Sequence, residues 1–241
     1  MTQGTTIALI TGANRGIGFE AARQLAQQGV TVLVTGRSSE SGQQAANALR
    51  EEGLSADFVQ LDVEDVASVN QAAVIVQNKY GKLDILINNA AAYADWSETA
   101  SRANLAHTQD VLNTNLFGAW RTSQAFLPLL RRSAHGRIVN VSSGAGSHAE
   151  AQFGLASGPS AVSYAVSKAA LNALTVKLAG EVREDHILVN AVDPGLTATA
   201  PGMAEMGARP VSEGAASVVW ATMLPDDGPT AGFFRDGKPL P

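Results

Sequence analysis

Ile7-Ala8-Leu9-Ile10-Thr11-Gly12-Ala13-Asn14-Arg15-Gly16-Ile17-Gly18 decides the fold. Ile7 to Thr11 is a short apolar strand. It runs into a glycine-rich turn that opens a helix, Gly16 to Gln28. Glycine permits the tight turn, and the missing Cβ lets a diphosphate approach backbone N–H groups. The helix start adds unpaired N–H donors and partial positive charge. The spacing is G-x-x-x-G-x-G, not the G-x-G-x-x-G of the common dinucleotide fingerprint. In its strand–turn–helix setting it reads as a phosphate-binding turn. Gly12, Asn14, Arg15, Gly16, Ile17 and Gly18 are therefore candidate cofactor contacts.

Outward from this unit, strand and helix alternate along the whole chain. Gly29 ends the first helix, and Val30 to Thr35 is β-branched and strand-like. Ser41 to Glu52 is helical and stopped by Gly53, Ala56 to Leu61 is a strand, and Asp65 to Tyr80 is an amphipathic helix ended by Gly81. Ile85 to Asn88 is a buried strand. A long helix is expected over Thr108 to Ser133, bent near Pro128. Arg137 to Ser142 is the next strand, Ser143 to Ser160 a Gly/Ser/Ala-rich loop, and Ala161 to Leu178 a helix. Ile187 to Val192 is a sixth strand, Leu196 to Pro210 is irregular, Val211 to Met223 is a last helix, and Ala231 to Phe234 an edge strand. Strands separated by helices mean parallel βαβ units with right-handed crossovers. No linker, repeat or composition break divides the chain. The expectation is one α/β domain over residues 1–241, a doubly wound, Rossmann-like parallel sheet with helices on both faces. Ligands of such a sheet sit at the carboxyl ends of the strands, where the strand order reverses.

The second strand ends Thr35-Gly36-Arg37-Ser38. An NAD site usually carries an acid here, on the ribose 2′-hydroxyl. Arg37, with the Ser38 hydroxyl beside it, suits a 2′-phosphate instead, and Arg15 lies within reach of the same group. NADP(H) is thus the expected cofactor. At the end of the third strand, Leu61-Asp62-Val63 offers a carboxylate for the adenine amino group; a cap for the helix that follows is the other use of Asp62.

Tyr164-Ala165-Val166-Ser167-Lys168 lies in the helix Ala161 to Leu178. Residues four apart share a helix face, so the phenol and the ammonium meet at one point. A free tyrosine has a pKa of about 10, too high for proton transfer near neutrality, and a fixed positive charge lowers it. The pair reads as a general acid/base.

Composition narrows the rest. The 241 residues, 45% of them hydrophobic, suffice for one large core, which argues against disorder. No apolar run approaches the ~20 residues that span a bilayer, and the N-terminus lacks a signal-peptide pattern. There are no cysteines, so thiol chemistry is excluded and the cytoplasm is a fitting compartment. The four histidines show no metal-ligand spacing, and the net charge of −5 speaks against nucleic acid as a partner.

The chain resembles the short-chain dehydrogenases/reductases over nearly all its length. The matching stretches, in order, are Thr11-Gly12-x-x-x-Gly16-x-Gly18, Leu61-Asp62-Val63, Asn88-Asn89-Ala90, Asn115-x-x-Gly118, Ile138-Val139-Asn140-Val141-Ser142-Ser143, Tyr164-x-x-x-Lys168 and Pro194-Gly195-x-x-x-Thr199. Val32 to Asn89 and Gly228 to Phe234 look most like the NADPH-dependent carbonyl reductases of that family. The resemblance implies that Tyr164 is the catalytic acid in reduction and the base in oxidation. Lys168 would lower its pKa and hold the nicotinamide ribose. Ser143 would donate to the substrate oxygen, and Asn115 would anchor a relay water at a distortion of the long helix. It also implies that Asn89 and Ala90 face the adenosine ribose, Pro194 and Gly195 the nicotinamide, and Thr197 and Thr199 its carboxamide. Two departures stand out. Ala91 replaces the family's usual glycine beside the nicotinamide, and the gap of 21 positions from Ser143 to Tyr164 (164 − 143) is longer than usual.

The implied reaction is hydride transfer between NADPH and a ketone or aldehyde, without a metal. Residues flanking the expected site, Tyr93, Trp96, His148, Phe153, Leu155, Met203 and Met206, favour a largely apolar carbonyl or alcohol substrate. The alternatives are an NAD-dependent alcohol or sugar dehydrogenase and a non-catalytic NADP-binding sensor. Relatives are often dimers or tetramers and some carbonyl reductases are monomers; a homo-oligomer is the expectation here.

Overall fold

The computed structural model describes residues 5–240; residues 1–4 and 241, which the single-domain expectation includes, lie outside the described residues. Among the described residues, eight strands form one sheet. They are β1 (Ile7–Ile10), β2 (Thr31–Gly36), β3 (Ala56–Gln60), β4 (Ile85–Asn88), β5 (Arg137–Val141), β6 (Leu188–Val192), β7 (Phe233–Arg235) and β8 (Lys238–Pro239). Their order is β3-β2-β1-β4-β5-β6-β7-β8. All neighbours are parallel except the antiparallel β7–β8 pair. The order reverses between β1 and β4, so a crevice is expected past the carboxyl ends of those two strands.

Side chains alternate across a strand, and here both faces are covered. Ala8 and Ile10 of β1 pack with Ala21, Leu25, Leu49 and Val218. These come from α1 (Gly16–Gln27), α2 (Ser39–Glu51) and α7 (Val211–Thr222). Ile7 and Leu9 pack on the other face with Val69, Phe126, Leu130 and Leu178. Those residues belong to α3 (Val66–Tyr80), α5 (Ala119–Leu130) and α6 (Val162–Glu181). Two asparagines buried in adjacent central strands are linked and satisfied. Asn88 Nδ2 donates to Asn140 Oδ1 at 2.8 Å, and Asn140 Nδ2 to Thr175 Oγ1 at 2.8 Å.

Two elements differ from the sequence expectation. The long helix is not one piece. It comprises α4 (Leu105–Leu112), a π-helical segment Asn113–Gly118, and α5. The break in the α-helical ladder is therefore at Asn115, not at Pro128, which lies inside α5. The helix also starts earlier, because the Asn104 side chain accepts from Ala106 N at 3.0 Å and caps it. At the other end of the chain, the strand expected over Ala231 to Phe234 is Phe233–Arg235 and is not the edge. Asp236 and Gly237 both have positive φ (53° and 75°), the conformation of a two-residue hairpin, and β8 folds back to take the edge position.

Candidate active site

Three groups of residues converge at the carboxyl ends of the strands. The first is the turn after β1. Gly12 and Gly16 have φ of 62° and 60°, a region that favours glycine. A Cβ on Gly18 would lie 2.4 Å from Asn89 Nδ2 and 3.0 Å from the Gly12 carbonyl oxygen. Asn89 spends its amide on this turn, donating to the carbonyls of Thr11 at 2.8 Å and Gly12 at 3.2 Å. Thr11 Oγ1 in return accepts from Asn89 N and Ala90 N, both at 2.9 Å. Arg15 stands at the N-cap of α1 with an extended backbone and no side-chain capping bond. A helix N-terminus left open beside a glycine cradle fits a diphosphate. Ile17 packs its side chain on the core, so it has only its main chain to offer a ligand.

The second group lies along the ends of β2 and β3. Arg37 and Ser38 are exposed, and the Ser38 hydroxyl accepts from Ser41 N at 3.4 Å, capping α2. Asn14 Nδ2 donates to Ser41 Oγ at 3.2 Å and ties the glycine turn to that cap. Asp62 does not cap α3. Asp65 does, accepting from Ala67 N at 2.8 Å, while the Asp62 carboxylate takes Glu64 N at 3.0 Å and stays half-buried. Val63 is buried, and its Cγ2 would meet a Cβ on Gly118 at 2.8 Å, so its side chain faces the π segment.

The third group carries the polar chemistry. Tyr164 is 8% exposed and Lys168 2%. Lys168 Nζ donates to the Val141 carbonyl at 2.8 Å and lies 5.5 Å from the centroid of the Tyr164 ring. The Ser143 hydroxyl accepts from Ala145 N at 3.2 Å, and it stands near enough to the Tyr164 phenol to oppose the rise of its pKa. Asn115, in the π segment, is fully engaged through its amide. Nδ2 donates to the Ala92 carbonyl and to Ser167 Oγ, each at 2.9 Å, and Oδ1 accepts from Ala92 N at 2.7 Å. This locks the segment after β4 against α6 and places Ala91 beside the site.

Two aromatic rings from that segment cover the phenol. Tyr93 stacks on Tyr164 with centroids 5.5 Å apart and planes at 19°, and Trp96 leans on it at 5.7 Å. Both are open to solvent on their outer sides, 53% and 61% exposed. Glu98 pins the segment by accepting Ser163 N at 2.7 Å, in the first turn of α6.

Residues 6–208 match the family model of the short chain dehydrogenases. The chain belongs to that family. Among relatives, it is 32% identical to a (+)-neomenthol dehydrogenase of Capsicum annuum, over 97% of this chain and 96% of that one. It is 33% identical to carbonyl reductase [NADPH] 1 of Sus scrofa, over 99% and 94%. The crystal structure of NADPH-bound carbonyl reductase from chicken fatty liver superposes with a TM-score of 0.85 at 28% identity, covering 98% of both chains. This short-chain dehydrogenase is an oxidoreductase whose family uses a nicotinamide cofactor, and the glycine cradle described above suits one.

Electrostatics in this short-chain dehydrogenase depart from the sequence expectation. Burial pushes the Tyr164 phenol up, the Tyr93 phenol and the Asp193 carboxylate add to the rise, and Ser143 opposes it. Lys168 was expected to pull that pKa down, yet it is itself pushed down by burial to about 8, with Asp193 opposing. The Tyr93 phenol, packed against Tyr164, is raised by desolvation, opposed by the charge of Arg15.

The Pro194–Gly195 turn lies beyond β6, with Gly195 at φ 69°. Thr197 is turned into that turn, donating to the carbonyls of Pro194 and Gly195, and its hydroxyl does not face outward. Thr199 faces the glycine turn, its Cγ2 3.6 Å from where a Cβ on Gly16 would stand. Sequence reasoning missed Asp193, Glu150 and Arg235. The carboxylate directly before Pro194-Gly195 was a visible signal for the first; nothing in the sequence linked it to an arginine 42 positions away.

Proposed function

We propose that this short-chain dehydrogenase reduces a largely apolar ketone or aldehyde to an alcohol with NADPH. One observation carries the reading: the Ser143 hydroxyl, after β5, acts on the Tyr164 phenol of α6, whose ring centroid lies 5.5 Å from Lys168 Nζ. A carbonyl takes up hydride only where the charge growing on its oxygen is stabilised. In this reading both hydroxyls donate to that oxygen, and Tyr164 passes it a proton. A phenol held above its ordinary pKa stays protonated at neutral pH, which is the form a proton donor needs. Lys168, pushed down to about 8, exchanges protons near neutrality and is placed to reload the phenol. A relay water at the π segment would rest on the Asn115 main chain, because both amide hydrogens of Asn115 are already donated.

Gly12, Gly16 and Gly18 with the open end of α1 would hold the diphosphate, Arg37 and Ser38 the 2′-phosphate, and Asp62 the adenine. Asn89 and Ala90 would face the adenosine ribose, and Ala91, Pro194, Gly195 and Thr199 would line the nicotinamide half. Bound there, the cofactor supplies the hydride. The exposed arginine at the end of β2, with no acid at that position, supports NADPH over NAD. Tyr93 and Trp96, lying on the phenol, would press a ketone's apolar part by ring contact, so a cyclic or aromatic ketone fits better than a charged metabolite. We place the reaction in the cytoplasm on the absence of cysteines; no helix of the described residues is long and apolar enough to cross a membrane. We also propose a homo-oligomer, joined through the shallow face of Leu116, Trp120, Ala170, Ala173 and Leu174, which light scattering checks.

The test is Tyr164→Phe with a panel of cyclic ketones. NADPH binding should persist and turnover should fall by roughly 10³-fold or more. Turnover near wild type removes Tyr164 from the reaction. NAD-dependent oxidation of an alcohol without NADPH-dependent ketone reduction would favour the oxidative alternative.

A further inference from the structure

Arg235 closes β7, and its guanidinium forks between two carboxylates from distant parts of the chain. Nε donates to Asp193 Oδ2 at 2.9 Å, and Nη2 donates to the same oxygen. Nη2 also donates to Glu150 Oε2 at 2.9 Å. Asp193 directly follows β6 and is 3% exposed; its Oδ1 accepts from Gly195 N at 2.7 Å and holds the Pro194–Gly195 turn. Glu150 sits in the long loop between Ser143 and Tyr164, where its Oε1 accepts from Gln152 N at 2.9 Å. Gly144, next to Ser143, is where these groups meet. A Cβ there would lie 2.8 Å from Arg235 Nη2, 2.9 Å from Glu150 Cγ and 3.0 Å from Asp193 Oδ2.

Burying charges is costly, and a buried ion pair is weak evidence for stability. The position of this one suggests another use. The Asp193 carboxylate acts through space on both members of the catalytic pair, holding Lys168 up and pushing Tyr164 up. The groups facing this centre are Tyr164 and Lys168 from α6, Ser143 after β5, Tyr93 after β4, Asp193 after β6, Arg235 from β7 and Glu150 from the loop. Arg209 lies on the far side of the turn, donating to the Pro194 carbonyl and paired with Asp236.

We propose that Arg235 is a positioning residue: it clamps the Glu150 loop and the Asp193 turn around Gly144, holds the adjoining Ser143 in place, and offsets the Asp193 charge. This rests on the reduction reading above. It gives the lengthened loop a structural purpose, as one arm of the clamp.

The test compares Arg235→Gln, Arg235→Lys, Asp193→Asn and Glu150→Gln in the full chain. One readout is kcat and KM across pH with NADPH and a ketone. The other is the titration of Lys168 in cofactor-free protein, followed by carbon NMR and assigned with Lys168→Met. Arg235→Gln should lower kcat roughly tenfold or more. It should also move the Lys168 titration upward by about one pH unit, because Asp193 loses its counter-charge. Asp193→Asn should move it downward by a similar amount. Arg235→Lys should restore the titration while recovering kcat only in part, since an ammonium lacks the planar fork. Glu150→Gln should raise KM and leave the titration in place. Loosened packing alone would not produce opposite shifts, so shifts of one sign, or none, overturn the proposal. If Arg235→Gln fails to melt cooperatively, an unmoved titration in Asp193→Asn is enough to overturn it. Tyr164→Phe separates the two claims. A turning-over Tyr164→Phe defeats the reduction reading, whereas an inactive one with unmoved titrations defeats the clamp alone.

Discussion

The two halves of this sheet hold their sites by different means. Past β1 to β3, the glycine turn is built from main chain, with Gly12 and Gly16 at positive φ and Asn89 bonded to the carbonyls of Thr11 and Gly12. Past β5 to β7, the site is built from side chains, with the buried Lys168 on the Val141 carbonyl and the half-buried Arg235 between Asp193 and Glu150. Main-chain geometry binds any diphosphate without regard to its chemistry; buried titratable groups set where a proton goes. Binding and chemistry should therefore separate cleanly when each half is changed.

The largest effect on cofactor binding is expected at Gly18. A side chain there meets the Asn89 amide and the Gly12 carbonyl, so Gly18→Val should displace both. We expect NADPH affinity to fall roughly 100-fold, about 3 kcal/mol, with kcat at saturating cofactor little changed. Fluorescence titration and steady-state kinetics check this; a fall in kcat with unchanged affinity would break the division. Next is Arg37→Asp, which should move preference from NADPH toward NAD by roughly 10- to 100-fold, read as the ratio of kcat/KM values. Unchanged KM values for both cofactors would remove Arg37 from the 2′-phosphate.

The smallest effect is thermal. Lys168 titrates at about 8 in the fold against an ordinary 10.5, so its charged form is disfavoured by folding. That cost is fully present below about pH 8 and fades as pH rises to 10.5, where the unfolded chain also loses the proton. Lys168→Met should then raise the Tm by a few degrees at pH 7, with the gain shrinking toward pH 10.5, while turnover is lost. A lowered Tm at pH 7 would mean that the buried amine stabilises the fold.

The same contrast explains what was legible in the sequence. Elements set by local chemistry read directly: the alternating strands and helices, the glycine turn, the Tyr164–Lys168 spacing, and the Arg37 that replaces an acid. The Asp236–Gly237 hairpin was equally local, an Asp-Gly pair of the favoured turn type, and its signal was available though unused. The π segment at Asn113–Gly118 was not readable from periodicity. It depends on Asn115 reaching Ala92 and Ser167, contacts made only when three elements assemble. The raised Tyr164 pKa was missed for a related reason. Spacing gives the neighbour on the same helix face, while burial and the Asp193 charge come from other strands.

A crystal structure with NADPH and a slowly reduced cyclic ketone tests the central claim most directly. The account predicts that the ketone oxygen lies about 2.6–3.2 Å from both the Tyr164 phenol and the Ser143 hydroxyl. A ketone oxygen held away from the Tyr164 hydroxyl, with the cofactor seated in the glycine turn, would contradict it.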